Sequence, residues 1–236
     1  MKNGQNYRNK YPSQDYRINP NNISQVMSIL EKHFNYTERT TLNRMRKEEN
    51  KNPFKILISC LLSLRSRDET TEKISHHLFQ IADTPEKILS IPIAKLEGII
   101  YSTGHYHKKA LILKNVSKEL IERFNSEVPD TKEELISIKG IGPKTANIVL
   151  NFAFNKEVIP VDIHCHRIPN RLGWLKTRTP EQTEEILEKI LPKQYWFEFN
   201  GIFVLFGRTI CTPLSPKCSQ CPVNNYCQKI NVGKSR

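Results

Sequence analysis

The stretch Leu135-Ile-Ser-Ile-Lys-Gly-Ile-Gly-Pro-Lys-Thr-Ala146 limits the fold more than any other part of the chain. Thr131, with Glu134 three residues on, reads as a capping box that opens a helix. That helix is expected to end at Lys139, and a second to open at Pro143, where proline's missing N–H costs nothing. Gly140 and Gly142 are expected to supply the backbone angles that reverse the chain in so few residues, with Ile138 and Ile141 anchoring the turn in a core. Free of side chains, such a turn leaves bare N–H groups and a helix N-terminus facing outward, a geometry that holds a phosphate oxygen and reads no base. Gly140, Ile141 and Gly142 are therefore candidate nucleic-acid contacts, although a plain helix–helix connection asks for the same glycines.

Lys144 falls in the first turn of the second helix, where the positive end of the macrodipole opposes a cation. Two roles offset that cost: contact with a phosphate, or service as an amine nucleophile whose pKa is lowered by the helix terminus and neighbouring cations. The residues alone favour the phosphate. The charge agrees, since Lys and Arg exceed Asp and Glu by 36 to 24, a net +12. Such a balance points to a polyanion, nucleic acid first and an anionic membrane surface second. No apolar run approaches the roughly eighteen residues of a membrane span, and Met1–Asn22 lacks the apolar core of a signal peptide. A secreted or membrane protein is not expected; the cytoplasm and nucleoid, or a nucleus, are.

The periodicity is helical throughout. Asn52-Pro53, Thr84-Pro85 and Thr179-Pro180 each set a capping side chain before a proline at the first helical position. Between His107 and Phe124, Leu113, Val116, Leu120 and Phe124 share a face. Thr145–Phe154 is apolar nearly all round, as in a helix buried on every side, and a helix over about 193–208 carries Trp196, Phe199, Phe203 and Phe206. No strand-like alternation appears, so the fold is expected to be all-α, with residues 1–18 as a flexible tail.

Asp162, in Glu157-Val-Ile-Pro-Val-Asp-Ile-His-Cys-His-Arg167, stands where an apolar segment meets a helix. Capping explains it; so does a carboxylate that stabilises positive charge developing on a sugar, and spacing does not choose between the two. His164 and His166, two apart on a helix, face different directions and make a poor metal pair; the same holds for His105 and His107. The tail reads Cys211-x6-Cys218-x2-Cys221-x5-Cys227. Four thiols so close together specify a local metal site, and both zinc and an iron–sulfur cluster accept four cysteines. Lys217, inside the first loop, is a candidate phosphate contact. Cys60 and Cys165 stand alone and are expected to be buried thiols.

Taken together, these residues resemble the endonuclease III family of DNA glycosylases, in the helix-hairpin-helix, Gly/Pro-Asp superfamily. The resemblance rests on Lys139-Gly-Ile-Gly-Pro-Lys-Thr-Ala146, Val161-Asp-Ile-His164, the cysteine spacing and Leu61-Leu-Ser-Leu-Arg-Ser-Arg-Asp68, and runs from about residue 23 to 229. It implies a 4Fe–4S cluster on Cys211, Cys218, Cys221 and Cys227, with zinc second. It also implies two helical lobes: a six-helix barrel over 46–156 with the hairpin at 131–154, and a cluster-bearing lobe of 19–45 with 157–230. The partner would be double-stranded DNA with a damaged pyrimidine or an abasic site, bound by a monomer. The family flips the damaged base out of the stack, which is otherwise out of reach. Lys144 matches the nucleophilic lysine, which displaces the base, forms a Schiff base and promotes β-elimination; Asp162 matches its partner carboxylate. The sequence departs from the family at Arg65, where bacterial members place a glutamine, and at His105, often a leucine wedge; both are expected at the DNA. Alternatives are a mismatch thymine or uracil glycosylase of the same superfamily, and a cluster-stapled DNA-binding protein without catalysis.

Overall fold

The computed structural model describes residues 18–34, 52–64, 66 and 68–236, and every regular element among them is helical. In chain order these are α1 (Ile23–Phe34), α2 (Pro53–Ser63), α3 (Asp68–Ile81), α4 (Pro85–Ser90), α5 (Ile93–Ile100), α6 (Tyr106–Phe124), α7 (Lys132–Ser137), α8 (Pro143–Phe152), α9 (Ile163–Leu172), α10 (Pro180–Ile190) and α11 (Trp196–Thr209). Short 3-10 turns punctuate the ends. The expected tail, the expected start of the barrel at 46 and Arg65 lie outside the described residues. Among those described, no helix is long and apolar enough to cross a membrane.

The capping signals act as the sequence predicts. Asn52 Oδ1 accepts the Lys55 N–H at 3.1 Å ahead of α2, Thr84 Oγ1 the Lys87 N–H at 3.3 Å ahead of α4, and Thr179 Oγ1 the Gln182 N–H at 3.3 Å ahead of α10. Each bond satisfies one of the orphan donors of a helix start, and the following proline has no N–H to satisfy.

The described residues fall into two units. One takes those from 52 to Pro160 with Trp196–Gly201; the other takes those before 35 with Val161–Tyr195 and Ile202–Arg236. In the first, α2 is buried all round, with Ile56, Leu57, Ile58 and Leu62 fully enclosed, and it packs on α3, α6 and α8. Helix α8 is its counterpart, every side chain from Thr145 to Phe152 being buried. Its two asparagines tie down the segment that follows: Asn151 Nδ2 donates to Val158 O at 3.0 Å and Asn147 Nδ2 to Ile159 O at 3.5 Å. In the second unit Ile23, Val26, Met27, Leu30 and Phe34 form the apolar stripe of α1. Trp174 is fully buried there, its Nε1 donating to Asn22 Oδ1 at 2.7 Å and its ring 5.8 Å from that of Phe203.

A buried amine closes the C-terminal end of α2. Lys109 on α6 is 5% exposed, and its Nζ donates to Leu62 O and Ser66 Oγ, both at 2.7 Å. Burial lowers its pKa from 10.5 to about 8, because desolvation penalises the charged form. Between that value and the unfolded lysine's, the unfolded chain holds a proton that the folded chain has released, so stability rises with pH through the window. Urea denaturation near pH 7.5 and pH 9.5 tests this: wild type should gain stability on Lys109→Met as pH rises, and an unchanged difference would mean that the amine does not titrate there.

Candidate functional site

The hairpin is built by two glycines with different tasks. Helix α7 is capped by Thr131, whose Oγ1 accepts the Glu134 N–H at 3.3 Å, and it stops at Ser137, earlier than the Lys139 expected from sequence. A turn follows, closed by the Ile141 N–H to Ile138 O at 3.0 Å, with Gly140 at φ +112° in its third position. That is where turns with a positive φ require glycine. A Cβ on Gly140 would also lie 2.9 Å from Ile112 Cγ2. Gly142 departs from expectation: its φ of −97° and ψ of 171° are ordinary extended backbone, so it is not there for conformational freedom. A Cβ on it would meet nothing within 4 Å, and its service is to leave the start of α8 uncovered. Ile138 and Ile141 are buried as anchors, at 0% and 4% exposure.

Lys144 is half-buried in the first turn of α8, directly behind this opening. Beneath it lies Cys60 of α2, fully buried; burial pushes its thiol up, against the pull of the Lys144 charge and a hydrogen bond with the Thr145 side chain. The thiol is thus neutral filling, as expected, and Cys165 is likewise buried, at 0% exposure. His105, exposed at the start of α6, holds a left-handed backbone (φ 59°, ψ 35°) and makes no capping bond with its side chain.

Asp162 belongs to the other unit. It is the N-cap of α9: its Oδ1 accepts both the His164 and the Cys165 N–H at 2.8 Å, and the residue is 9% exposed. Both cap bonds fall on one oxygen, which fixes the carboxylate plane and leaves Oδ2 for other work. The histidines after it have protein partners: His164 Nδ1 lies 3.0 Å from Arg167 Nη2, and His166 Nδ1 lies 2.6 Å from Thr183 Oγ1.

The four tail cysteines line one cavity, with Arg171, Phe206, Ile210 and Lys217 around them, and none of the four is in a disulfide. Local structure accounts for their spacing. A 3-10 turn at Cys218–Gln220 leads into Cys221, and residues i and i+3 of such a turn point the same way; a second turn, Asn224–Tyr226, delivers Cys227. Arg171 Nη1 donates to Cys211 Sγ at 3.4 Å and to Thr212 O at 2.7 Å, and Arg167 Nη2 donates to Cys211 O at 2.8 Å. The Lys229 N–H donates to Cys227 Sγ at 3.3 Å. Burial pushes the Cys227 thiol up to about 11 and raises Cys221 as well, with the neighbouring sulfurs adding to both. Sulfurs crowded in this way become thiolates when a metal supplies positive charge, and N–H donors already aim at two of them. The donor set fits an iron–sulfur cluster. The signal for Arg167 and Arg171, missed in the sequence, is their spacing of four on α9, which puts both on the face that meets the loop.

Residues 58–193 match the HhH-GPD superfamily of base excision DNA repair proteins, and residues 211–227 match the iron-sulfur binding domain of endonuclease III. Endonuclease III of Thermotoga maritima is 46% identical over 183 residues, covering 78% of this chain and 86% of that protein. The chain belongs to the endonuclease III family. Endonuclease III of Buchnera aphidicola subsp. Baizongia pistaciae is 37% identical over 175 residues, 74% of this chain and 81% of that one. Among solved structures, a trapped endonuclease III–DNA covalent intermediate is similar with a TM-score of 0.79 and 31% identity, over 90% of this chain and 97% of that one. As a member of the endonuclease III family, the chain is a base excision repair enzyme, a DNA glycosylase with AP lyase activity, and its tail binds an iron–sulfur cluster.

The two hairpin glycines should separate on substitution. Gly140→Ala meets both a strained φ and Ile112, and is expected to cost about 1–2 kcal/mol or more. Gly142→Ala loses only the preference for glycine over alanine at an N-cap, about 1 kcal/mol at most. Chemical denaturation of both variants checks the order.

Proposed function

We propose that this endonuclease III family member removes oxidised pyrimidines, such as thymine glycol, from double-stranded DNA and cleaves the abasic site that results, with Lys144 as nucleophile and Asp162 as its partner carboxylate. The observation that carries the reading is the placement of Lys144 in the first turn of α8, behind a turn whose Gly142 leaves the helix start uncovered. The similar endonuclease III–DNA structure that was trapped as a covalent intermediate supports a covalent route.

In this mechanism the free amine of Lys144 attacks C1′ of the flipped nucleotide. The C1′–N bond breaks, its electron pair leaves with the base, and the base takes up a proton. The amine sheds a proton, the C1′–O4′ bond of the sugar ring breaks with its electron pair and that proton going to O4′, and a protonated Schiff base forms. Loss of a C2′ proton then expels the 3′ phosphate by β-elimination, and water releases the lysine. Asp162 stabilises the cationic sugar and assists proton transfer through Oδ2, its Oδ1 being held by the cap. The hairpin at Gly140, Ile141 and Gly142 takes a backbone phosphate, and Lys217 a second one. Arg65 takes the gap left by the flipped base and answers the orphaned partner base, and His105, presented by its left-handed backbone, stacks at the opposite strand.

The cluster on Cys211, Cys218, Cys221 and Cys227 is read as 4Fe–4S, which would hold the polar tail together. This reading is supported by the four cysteines that line one cavity and by the match of residues 211–227 to the iron-sulfur binding domain of endonuclease III. Iron and acid-labile sulfide in equal amounts, with little zinc, is the expected analysis of purified protein; one zinc per chain would overturn it.

Borohydride trapping tests the chemistry. Wild type is expected to give a covalent adduct with a thymine glycol duplex and with a bare abasic duplex, and Lys144→Ala with neither. An adduct on the abasic duplex alone would keep the lysine and move the substrate to other bases, uracil first. Asp162→Asn keeps the cap, because asparagine caps as well as aspartate. It should therefore melt close to wild type while base release slows by about a hundredfold or more.

A further inference from the structure

The turn that presents the hairpin is held from outside, by one face of α6. Ile112, Asn115, Glu119 and Arg123 follow one another at three- and four-residue steps and so share that face. Asn115 Nδ2 donates to Lys139 O at 2.9 Å, and the Lys139 N–H donates to Glu119 Oε1 at 3.1 Å. Asn115 Nδ2 also donates to that same Oε1, at 2.9 Å. Arg123 fixes the other carboxylate oxygen, Nη1 donating to Glu119 Oε2 at 2.6 Å, while its Nη2 donates to Ser137 Oγ at 2.7 Å. Ile112 occupies the space beside Gly140. Both backbone polar groups of Lys139, the residue before the first hairpin glycine, are therefore engaged by α6.

The consequence follows from the planarity of the peptide. In a trans peptide the C=O and the next N–H point in opposite directions. With Lys139 O drawn towards α6, the Gly140 N–H of the same peptide is turned away from it. Were this peptide to rotate, that N–H would no longer point the same way, and turns closed by one hydrogen bond interconvert by such a rotation of the central peptide. The brace resists that rotation.

We propose that Glu119, assisted by Asn115 and Arg123, is a positioning residue for DNA binding, holding the Lys139–Gly140 peptide in the orientation in which the hairpin amides meet a phosphate. This rests on the reading of the hairpin as a phosphate contact. The Arg123 end of the pair is 43% exposed and the Glu119 end 19%, and ion pairs open to solvent at one end contribute only about 0–1 kcal/mol. Charge makes the point sharper. A carboxylate near a phosphate site repels the phosphate, so Glu119 works against affinity unless its placement of the backbone more than compensates.

Two expectations of opposite sign follow, and Kd for a duplex carrying a stable abasic-site analogue decides between them. Glu119→Ala removes a negative charge and the brace together; the brace predicts Kd weaker by about five- to tenfold, whereas charge alone predicts tighter binding. Single-turnover cleavage of an abasic duplex at saturating enzyme should keep its wild-type rate, and thermal melting should change little. Glu119→Gln retains an acceptor for the Lys139 N–H and is expected to restore wild-type affinity. Asn115→Ala, which frees Lys139 O, should weaken binding in the same direction as Glu119→Ala. Equal or tighter binding by Glu119→Ala, a loss of rate in place of affinity, or failure of Glu119→Gln to rescue would each overturn the proposal. Gly142→Ala separates the two levels. If it weakens binding while Glu119→Ala does not, only the brace falls; if it too leaves Kd unchanged, the hairpin reading falls and takes the brace with it.

Discussion

The positive φ of Gly140 against Ile112 is the constraint from which the rest of the hairpin follows. A chain that must reverse between Ser137 and Pro143 while keeping Ile138 and Ile141 buried has few backbone solutions. The one adopted carries a left-handed residue where a Cβ would collide with α6. Once that residue is glycine, α8 starts at Pro143 with Gly142 bare in front of it, and Lys144 falls in its first turn. The helix behind is sealed on all sides, so the lysine backbone is carried by rigid core while its surroundings open outward.

A second theme is that the side chains proposed to act occupy ordinary structural positions. Asp162 is an N-cap with one oxygen fully used, and capping is what orients the other. Capping and the proposed catalytic role are thus not competing explanations; the first would prepare the second. The same helix, α9, carries Arg167 and Arg171 onto the backbone and sulfur of Cys211, so one element both presents the carboxylate and steadies the start of the cysteine loop. That loop has few apolar residues of its own and relies on 3-10 turns, arginine donors and metal to hold its shape.

Several features were legible in the sequence because they depend on neighbours within a turn or two. The Asn52, Thr84 and Thr179 caps, the buried character of α8, the stripe of Leu113, Val116 and Leu120, and the cysteine spacing all belong to this class. The resemblance to endonuclease III added the family and its activity. The end of α7 was placed two residues too late, since the turn at 138–141 closes on its own hydrogen bond before Lys139 can join the helix. The glycines were assigned one role where they have two, because open space and strained backbone leave the same letter in a sequence.

What the sequence determined by itself, then, is local: which segments are helical, where each begins, that four thiols lie within reach of one metal centre, and that a lysine heads a helix behind a glycine turn. Tertiary structure alone decided what steadies these parts. Lys109 reaches back to Leu62, Asn115 and Glu119 reach forward to Lys139, and Arg171 reaches Cys211. Each is a side chain bonded to a group far along the chain, and no periodicity encodes such a bond. Capping and helical pitch act through fixed covalent spacing, whereas these contacts exist only after packing has brought distant helices together.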